Sequence, residues 1–477
     1  MPETSRGNPL PSTVSNVSIP AAGGSAGAAP KMKFVNQAAI SVISQAATQI
    51  VVIGTMLIMP RIMPAAVKGP AELVTMLATF LIVFSNMGLS TAILYHPDRA
   101  NISIDRMAST ALTAGICVSG VVAGICSFFF PNYFATGHGT IVEPWHVILV
   151  LATCPLQLST SYLNATQVVA GNIIGFNFIQ FLPTAVFVST FFGIYLWQGA
   201  EFFERNPHWF LSGIVIAHVA RWTISAVVAV FLLRKAGPFR AMIDFSYLKK
   251  ALSFGARPYL RDVFQCCTFY ATPYYLDWEG FSGTEIGYFT LAVSAMVAVW
   301  QLPEAIHMIL ANRMATQSAR DRHWFTPIVC RNVIFVSFCA ALFVGIVAEV
   351  FVSFWWPNYV GAIPTIRVML AGAVLFTLFK VLQTDLLARG EINLVPILSG
   401  VTFVLLASLN IFAISVLGLR NITVSAACGA IAMSLVGIYT LIHYARVSRN
   451  PLPIVLFIQK DDIRLWRDFF NKILKRK

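Results

Sequence analysis

Five basic side chains, Arg221, Arg257, Arg261, Arg367 and Lys380, and three carboxylates, Asp262, Glu304 and Asp385, interrupt long apolar runs of this 477-residue chain. In hydrocarbon each such group costs about 2.5 to 3.5 kcal/mol at a helix centre, so it must face a protein interior or a water-filled cavity. The excess is positive, which suits an anion. Arg257 and Arg261 are four residues apart and so share one helix face, and Pro258 between them loosens that helix. Two guanidiniums on one face fit a diphosphate, because each planar fork can hold phosphate oxygens bidentately. The competing reading is that Asp262 and Glu304 neutralise the arginines as buried pairs. Arg367 and Asp385 lie near the ends of their runs, where snorkelling would relieve them. Trp222, beside Arg221, and Trp300 could stack on sugar rings or pack in a core. The three carboxylates are also the groups able to bind a proton or sodium ion.

Other chemistry is poorly represented. The chain has no phosphate-binding P-loop, no Gly-x-Ser-x-Gly elbow and no paired carboxylates on a soluble domain, so catalysis is not expected. All eight cysteines fall in apolar runs, where they act as small hydrophobes, and no histidine has zinc-ligand spacing. Neither a metal nor a bound cofactor is expected. The net charge of +13 comes without any basic and aromatic soluble module, so nucleic acid is not an expected partner.

A composition of 57% hydrophobic and 11% charged residues makes lipid the main solvent of the elements that position these groups. Apolar runs of roughly 20 or more residues recur, where a barrel would alternate over about 10. The sequence predicts twelve helical spans: 34–59, 71–95, 107–130, 145–166, 176–198, 209–233, 252–278, 285–311, 327–352, 364–388, 394–416 and 423–447. One side of this arrangement collects most of the Lys and Arg residues, and the other holds only Arg61, Lys68, Arg205 and Arg420. The positive-inside rule then puts both termini in the cytoplasm. Trp145, Trp197, Trp209, Trp278, Trp355 and Trp356 cluster at span ends on the basic-poor side, as headgroup-level rings do.

The halves resemble each other weakly. Span three ends in Phe130-Pro131-Asn132-Tyr133 and span nine in Trp356-Pro357-Asn358-Tyr359; span four exits through Ala170-Gly171 and span ten through Ala388-Arg389-Gly390. The expected organisation is a disordered cytoplasmic tail (1–33), an N-lobe of six spans (34–233), a basic cytoplasmic linker (234–251), a C-lobe of six spans (252–447) and a cytoplasmic tail (448–477). Ile463, Trp466, Phe469, Phe470, Ile473 and Leu474 give this last tail the pattern of an interfacial helix on anionic lipid. Because six is even, the lobes insert in the same orientation, related by an axis along the membrane normal.

Several segments resemble the polysaccharide-transport (Wzx-like) branch of the multidrug/oligosaccharidyl-lipid/polysaccharide (MOP) exporter superfamily. They are Asn86-Met87-Gly88-Leu89-Ser90-Thr91-Ala92, Ser253-Phe254-Gly255, Ile286-Gly287-Tyr288-Phe289, Gln301-Leu302-Pro303-Glu304-Ala305 and Gly361-Ala362-Ile363-Pro364. Arg61 matches an arginine that usually follows span one, whereas Met63-Pro64 through Lys68-Gly69 departs from the family's turn. The resemblance implies a V-shaped two-lobed all-α bundle, a cationic central cavity including Arg61, and alternating access. It implies a flippase for a polyprenyl-diphosphate-linked oligosaccharide in a bacterial inner membrane. Its partners would be a polysaccharide polymerase and a chain-length regulator, and an ion gradient or the membrane potential would drive it. A MATE-like drug antiporter of the same superfamily would favour an acidic cavity. A membrane polysaccharide polymerase would need a large outer loop, and the longest here is residues 131–144.

Overall fold

The computed structural model describes residues 30–95, 102–138, 141–233, 241–316, 319–460, 462–463 and 467; its side chains are described from residue 44 on, except 45–46, 95, 135 and 302–322. The described residues form helices only. In chain order these are α1 (Pro30–Ile62), α2 (Ala65–Asn86), α3 (Leu89–Tyr95), α4 (Ile104–His138), α5 (Pro144–Ala152), α6 (Cys154–Val169), α7 (Ile173–Gln198), α8 (Ala200–Arg205) and α9 (His208–Leu233). Then come α10 (Phe245–Trp278), α11 (Gly283–Thr316), α12 (Ala319–Trp355), α13 (Ile363–Ala388), α14 (Leu394–Asn410), α15 (Ile422–Ser448) and α16 (Leu452–Leu456). A 3-10 turn, Pro357–Ala362, precedes α13, and a π turn, Ile411–Val416, ends α14. Among the described residues ten segments are long and apolar enough to cross a membrane, and the described apolar part of α1, Ala47–Ile62, is shorter. The twelfth is α10, whose 34 residues include Lys249, Lys250, Arg257, Arg261 and Asp262. This is a multi-pass all-α protein of about twelve spans.

Two predicted spans are not continuous. Span two breaks at Met87 and Gly88, with φ of 50° and 75°, so α2 stops and α3 restarts. Asn86 holds the break by donating to Ser90 Oγ at 3.0 Å, and Tyr162 donates to the Asn86 carbonyl at 3.1 Å. Span four breaks at Thr153, ahead of Pro155, which has no N–H to continue the ladder. The repeated Pro-Asn-Tyr tripeptides also differ. Pro131 lies inside α4, which runs on to His138, whereas Pro357 opens a 3-10 turn after α12 has ended.

Helices α1 to α9 pack mainly on one another, as do α10 to α16. The two groups meet where α2 crosses α11 and where α2 and α3 lie against α10. The first crossing is made by Gly69 against Gly283 and Gly287, where any Cβ would collide with backbone. Without a hydrophobic force between helices in lipid, such small-residue seams allow the backbone approach that dispersion needs. Gly88 and Gly255 form the second seam in the same way.

The ends of the bundle differ chemically. At one end Trp145, Trp197, Trp209, Trp278 and Trp355 are exposed. At the other, the linker residues 241–244 dock on α4: Met242 N–H donates to Thr113, Asp244 N–H to Thr110, and Arg106 pairs with the Asp244 carboxylate at 2.6 Å. Asp244 also caps α10 through the N–H groups of Ser246 and Tyr247. Residues 1–29, the linker residues 234–240 and residues 461, 464–466 and 468–477 of the expected interfacial helix lie outside the described residues.

Candidate functional site

Between the two helix groups, toward the tryptophan-rich end, lies a cavity of about 680 Å³. Helices α1, α2, α7 and α9 line one side, and α10, α11, α12 and α13 the other. Its ionisable side chains are Lys68, Glu72, His218, Arg221 and Tyr270. Lys68 and Glu72 are four apart on α2 and pair at 2.6 Å, with the lysine almost wholly buried. Their charges cancel.

Arg221 comes from the middle of α9. One of its terminal nitrogens lies 2.9 Å from His218 Nδ1, and its Nε is buried with no partner. It makes no ion pair with a carboxylate among the described residues. Phe187 and Trp222 lie 5.2 and 5.0 Å from the guanidinium carbon, covering its faces. A guanidinium only donates, so His218 Nδ1 must accept and the neutral ring carries its proton on Nε2. The Gln157 amide, 3.0 Å from Nε2, therefore meets it through oxygen. The cavity thus holds one uncompensated cation.

The other predicted residues lie elsewhere. Arg257 is exposed, with no ion pair among the described residues, and Arg261 is bound by its neighbour Asp262, with Nη2 to Oδ1 at 2.7 Å. Neither lines the cavity. Lys380 is buried and lies over the Trp300 ring at 5.7 Å. Trp300 itself is 4% exposed, donates to the Ala373 carbonyl and packs on Phe269 and Phe376. That is core packing, which leaves no ring face for a sugar. The Trp222 face turned to Arg221 is likewise occupied.

Arg367 is exposed and paired with Glu349 at 2.8 Å, away from the cavity. Asp385 is fully buried against Arg389 at 3.0 Å. Arg61, at the tryptophan-rich end, donates to the Trp355 carbonyl and lies over its ring. The side chain of Glu304 lies outside the described residues. Sequence reasoning missed Lys68, Glu72 and His218. The available signals were the i, i+4 spacing of Lys68 with Glu72 and the i, i+3 spacing of His218 with Arg221.

No family model matches the chain, and no curated protein matches its sequence. Solved structures do match its fold. The lipid II flippase MurJ in an inward closed conformation superposes with TM-score 0.66 at 11% identity, over 86% of this chain and 90% of that one. An inward-facing multidrug resistance MATE family transporter of the MOP superfamily gives 0.59 at 12%, over 84% and 99%. A MOP superfamily transporter from Pyrococcus furiosus, described as having a binding pocket of reversed polarity, gives 0.54 at 13%, over 87% and 93%. The likeness is one of fold: the chain shares the helical architecture of these three structures.

Proposed function

We propose that this chain is a flippase that carries a polyprenyl-diphosphate-linked oligosaccharide across a bacterial inner membrane by alternating access. The tryptophan-rich end faces the periplasm and both termini face the cytoplasm. The observation that carries this reading is Arg221. A part-buried cation with no carboxylate partner among the described residues is costly to keep between membrane helices unless an anion visits it. A MATE-like antiporter of cationic drugs would call for the opposite sign. Arg257 and Arg261, on the cytoplasmic half of α10, are the first cations a cargo would meet from that side. The membrane potential supplies a drive, since an anion leaving an inside-negative cell gains about 2.3 kcal/mol per charge per 100 mV. Anionic lipids, a polymerase and a chain-length regulator are the partners this reading implies.

Deleting the gene should abolish a surface glycan while lipid-linked repeat units accumulate on the cytoplasmic leaflet. Accumulation on the periplasmic leaflet would instead identify a polymerase. Export in reconstituted vesicles should accelerate with an imposed inside-negative potential. Indifference to potential would remove the electrophoretic drive.

A further inference from the structure

Helices α12 and α13 share an ion pair on the outside of the bundle. Arg367, in the second turn of α13, donates from Nη2 to Glu349 of α12 at 2.8 Å and from Nε to the Gly345 carbonyl at 3.0 Å. The two side chains are 46% and 67% exposed, and neither lines the cavity. Val344, Val347 and Phe351 turn another face of α12 to the cavity. Beside Glu349 the exposed residues of α12 are Leu342, Ile346 and Val350, which make an apolar, lipid-facing surface.

The depth of the pair makes its exposure costly. Glu349 and Gly345 lie six and ten residues before α12 ends at Trp355, which is about 9 and 15 Å at a helical rise of about 1.5 Å per residue. The exposed Trp355 belongs to the headgroup level, so the pair lies within hydrocarbon. A snorkelling arginine would send its head toward that level, whereas Arg367 is tied to Gly345, deeper on α12. Charged groups at such depth face a protein interior or water, so a further protein surface is needed to cover this one.

The surroundings admit a close neighbour. Gly345 has open space where a Cβ would stand, and Ala371, one turn beyond Arg367, is exposed. Small residues let a second helix approach, and polar groups inside the membrane bond across such contacts. The guanidinium keeps N–H groups beyond those given to Gly345 and Glu349, and the carboxylate can accept further bonds.

The pair also selects its partner. A cation and an anion from adjacent helices stand side by side, so the surface that complements them is the same surface turned through half a revolution. Copies inserted in the same orientation can meet in this way only about a twofold axis along the membrane normal, which sets Arg367 of each copy opposite Glu349 of the other. We propose that the chain forms a homodimer in the membrane through the outer face of α12 and α13, with Arg367 and Glu349 of both copies joined in one cluster. The contact places the C-terminal helix groups back to back and leaves the cavity side of each copy free. It does not depend on what the cavity carries.

The test is self-association of the full chain in a bilayer, read as copurification of two differently tagged copies from one membrane and as photobleaching steps of labelled chains in vesicles at low protein density. The parent tags should copurify, and the labelled parent should bleach in two steps. Arg367→Glu and Glu349→Arg, each setting like charges side by side, should each lose at least tenfold of their copurification with copies of their own kind. Coexpressed with one another, these two variants should pair again, because an acidic face then meets a basic one. The swapped chain, Arg367→Glu with Glu349→Arg, keeps its internal pair and should dimerise like the parent even if a single reversal folds poorly. One-step bleaching of the parent would overturn the proposal, as would single reversals that copurify as well as the parent or monodisperse complementary variants that fail to pair. A monomeric parent that purifies with phosphatidylethanolamine, released by Arg367→Gln, would assign the pair to a lipid headgroup and exclude the second copy.

Discussion

Arg221 and Arg261 are both arginines within membrane helices, yet their surroundings predict opposite behaviour. Arg261 and Asp262 are each partly exposed, and their 2.7 Å contact joins neighbouring residues on α10. An ion pair in such a setting contributes about 0 to 1 kcal/mol. Arg261→Ala should therefore leave melting temperature and monodispersity near those of the parent chain, and a large loss of folded protein would contradict that environment. His218 should matter more, because it fixes the Arg221 fork from inside the N-terminal helix group. A hydrogen bond to a charged group is worth about 1.5 to 3 kcal/mol, so His218→Ala should slow transport roughly tenfold or more. His218→Asn, whose side-chain oxygen can accept from Arg221, should restore part of the rate. Equal rates for the Ala and Asn variants would mean that His218 does not act through Arg221.

At the scale of elements, the C-terminal strap after α15 carries a strong pairing. Arg331 on α12 and Asp462 form a buried ion pair, Asn332 donates to Asp462 at 3.0 Å, and Arg331 also donates to the Ile454 carbonyl. Burial pushes the Asp462 carboxyl up, but bonds from Arg331, the Gln459 N–H and Asn332 outweigh it and hold the group below its usual range. A carboxyl depressed by folding stabilises the docked strap above its unfolded pKa, about 3.9 for Asp, and loses that contribution as pH falls through the folded value. Hydrogen exchange of residues 450–460 should therefore be slow at neutral pH and accelerate in strong acid. Breaking the buried pair with Asp462→Asn should loosen the strap by about 3 to 5 kcal/mol, and Arg331→Met with Asp462→Leu should recover most of it. An unaltered exchange rate in Asp462→Asn would exclude the clamp.

This pair was illegible in the sequence, since its partners lie 131 residues apart. The buried lysine was also missed. Lys68 sits just before the predicted start of span two, where a basic residue reads as part of a loop. The spans themselves were legible because apolar length is a local property. The family-like segments were legible for a different reason: Gly88 of one meets Gly255 of another, and Gly361 of a third lies against the Tyr288 ring of a fourth. They are close contacts between elements, where a Cβ on the glycine would collide, and so they reported architecture while leaving the cavity chemistry unread.

At the scale of the whole molecule, the proposed alternating access would require the two helix groups to part at the tryptophan-rich end, and the bonds between them there are specific. Trp355 and Trp356 both donate to the Leu57 carbonyl, Tyr359 to Met63 and Tyr274 to Leu73. All of these accept on backbone, so the acceptor's side chain has no influence on them. The exception is Asp277, at the end of α10, which receives Tyr133 at 2.7 Å and His138 at 2.7 Å from the end of α4. At this end, among the described residues, His138 and Asp277 form the only ion pair that joins the two groups, and both are nearly buried. Removing hydrogen bonds to a charged group should cost the closed state about 1.5 to 3 kcal/mol, which is roughly a 10- to 100-fold shift toward the open one. A cysteine in place of Met59, on the cavity wall, reports that shift when a membrane-impermeant thiol reagent is added from the periplasmic side in a chain stripped of its native cysteines. Asp277→Asn should raise the labelling rate by about tenfold or more, and His138→Ala together with Tyr133→Phe should do the same from the other side of the latch. Cysteines at Glu201 and Arg449 serve as fixed references, the first expected to react from the periplasm and the second from the cytoplasm. If the Met59 position labels at the parent rate in Asp277→Asn, the closing energy resides in the backbone-directed bonds and the glycine seam. If instead Arg449 reacts from the periplasm, the orientation of the whole bundle is reversed and the latch guards the cytoplasmic mouth.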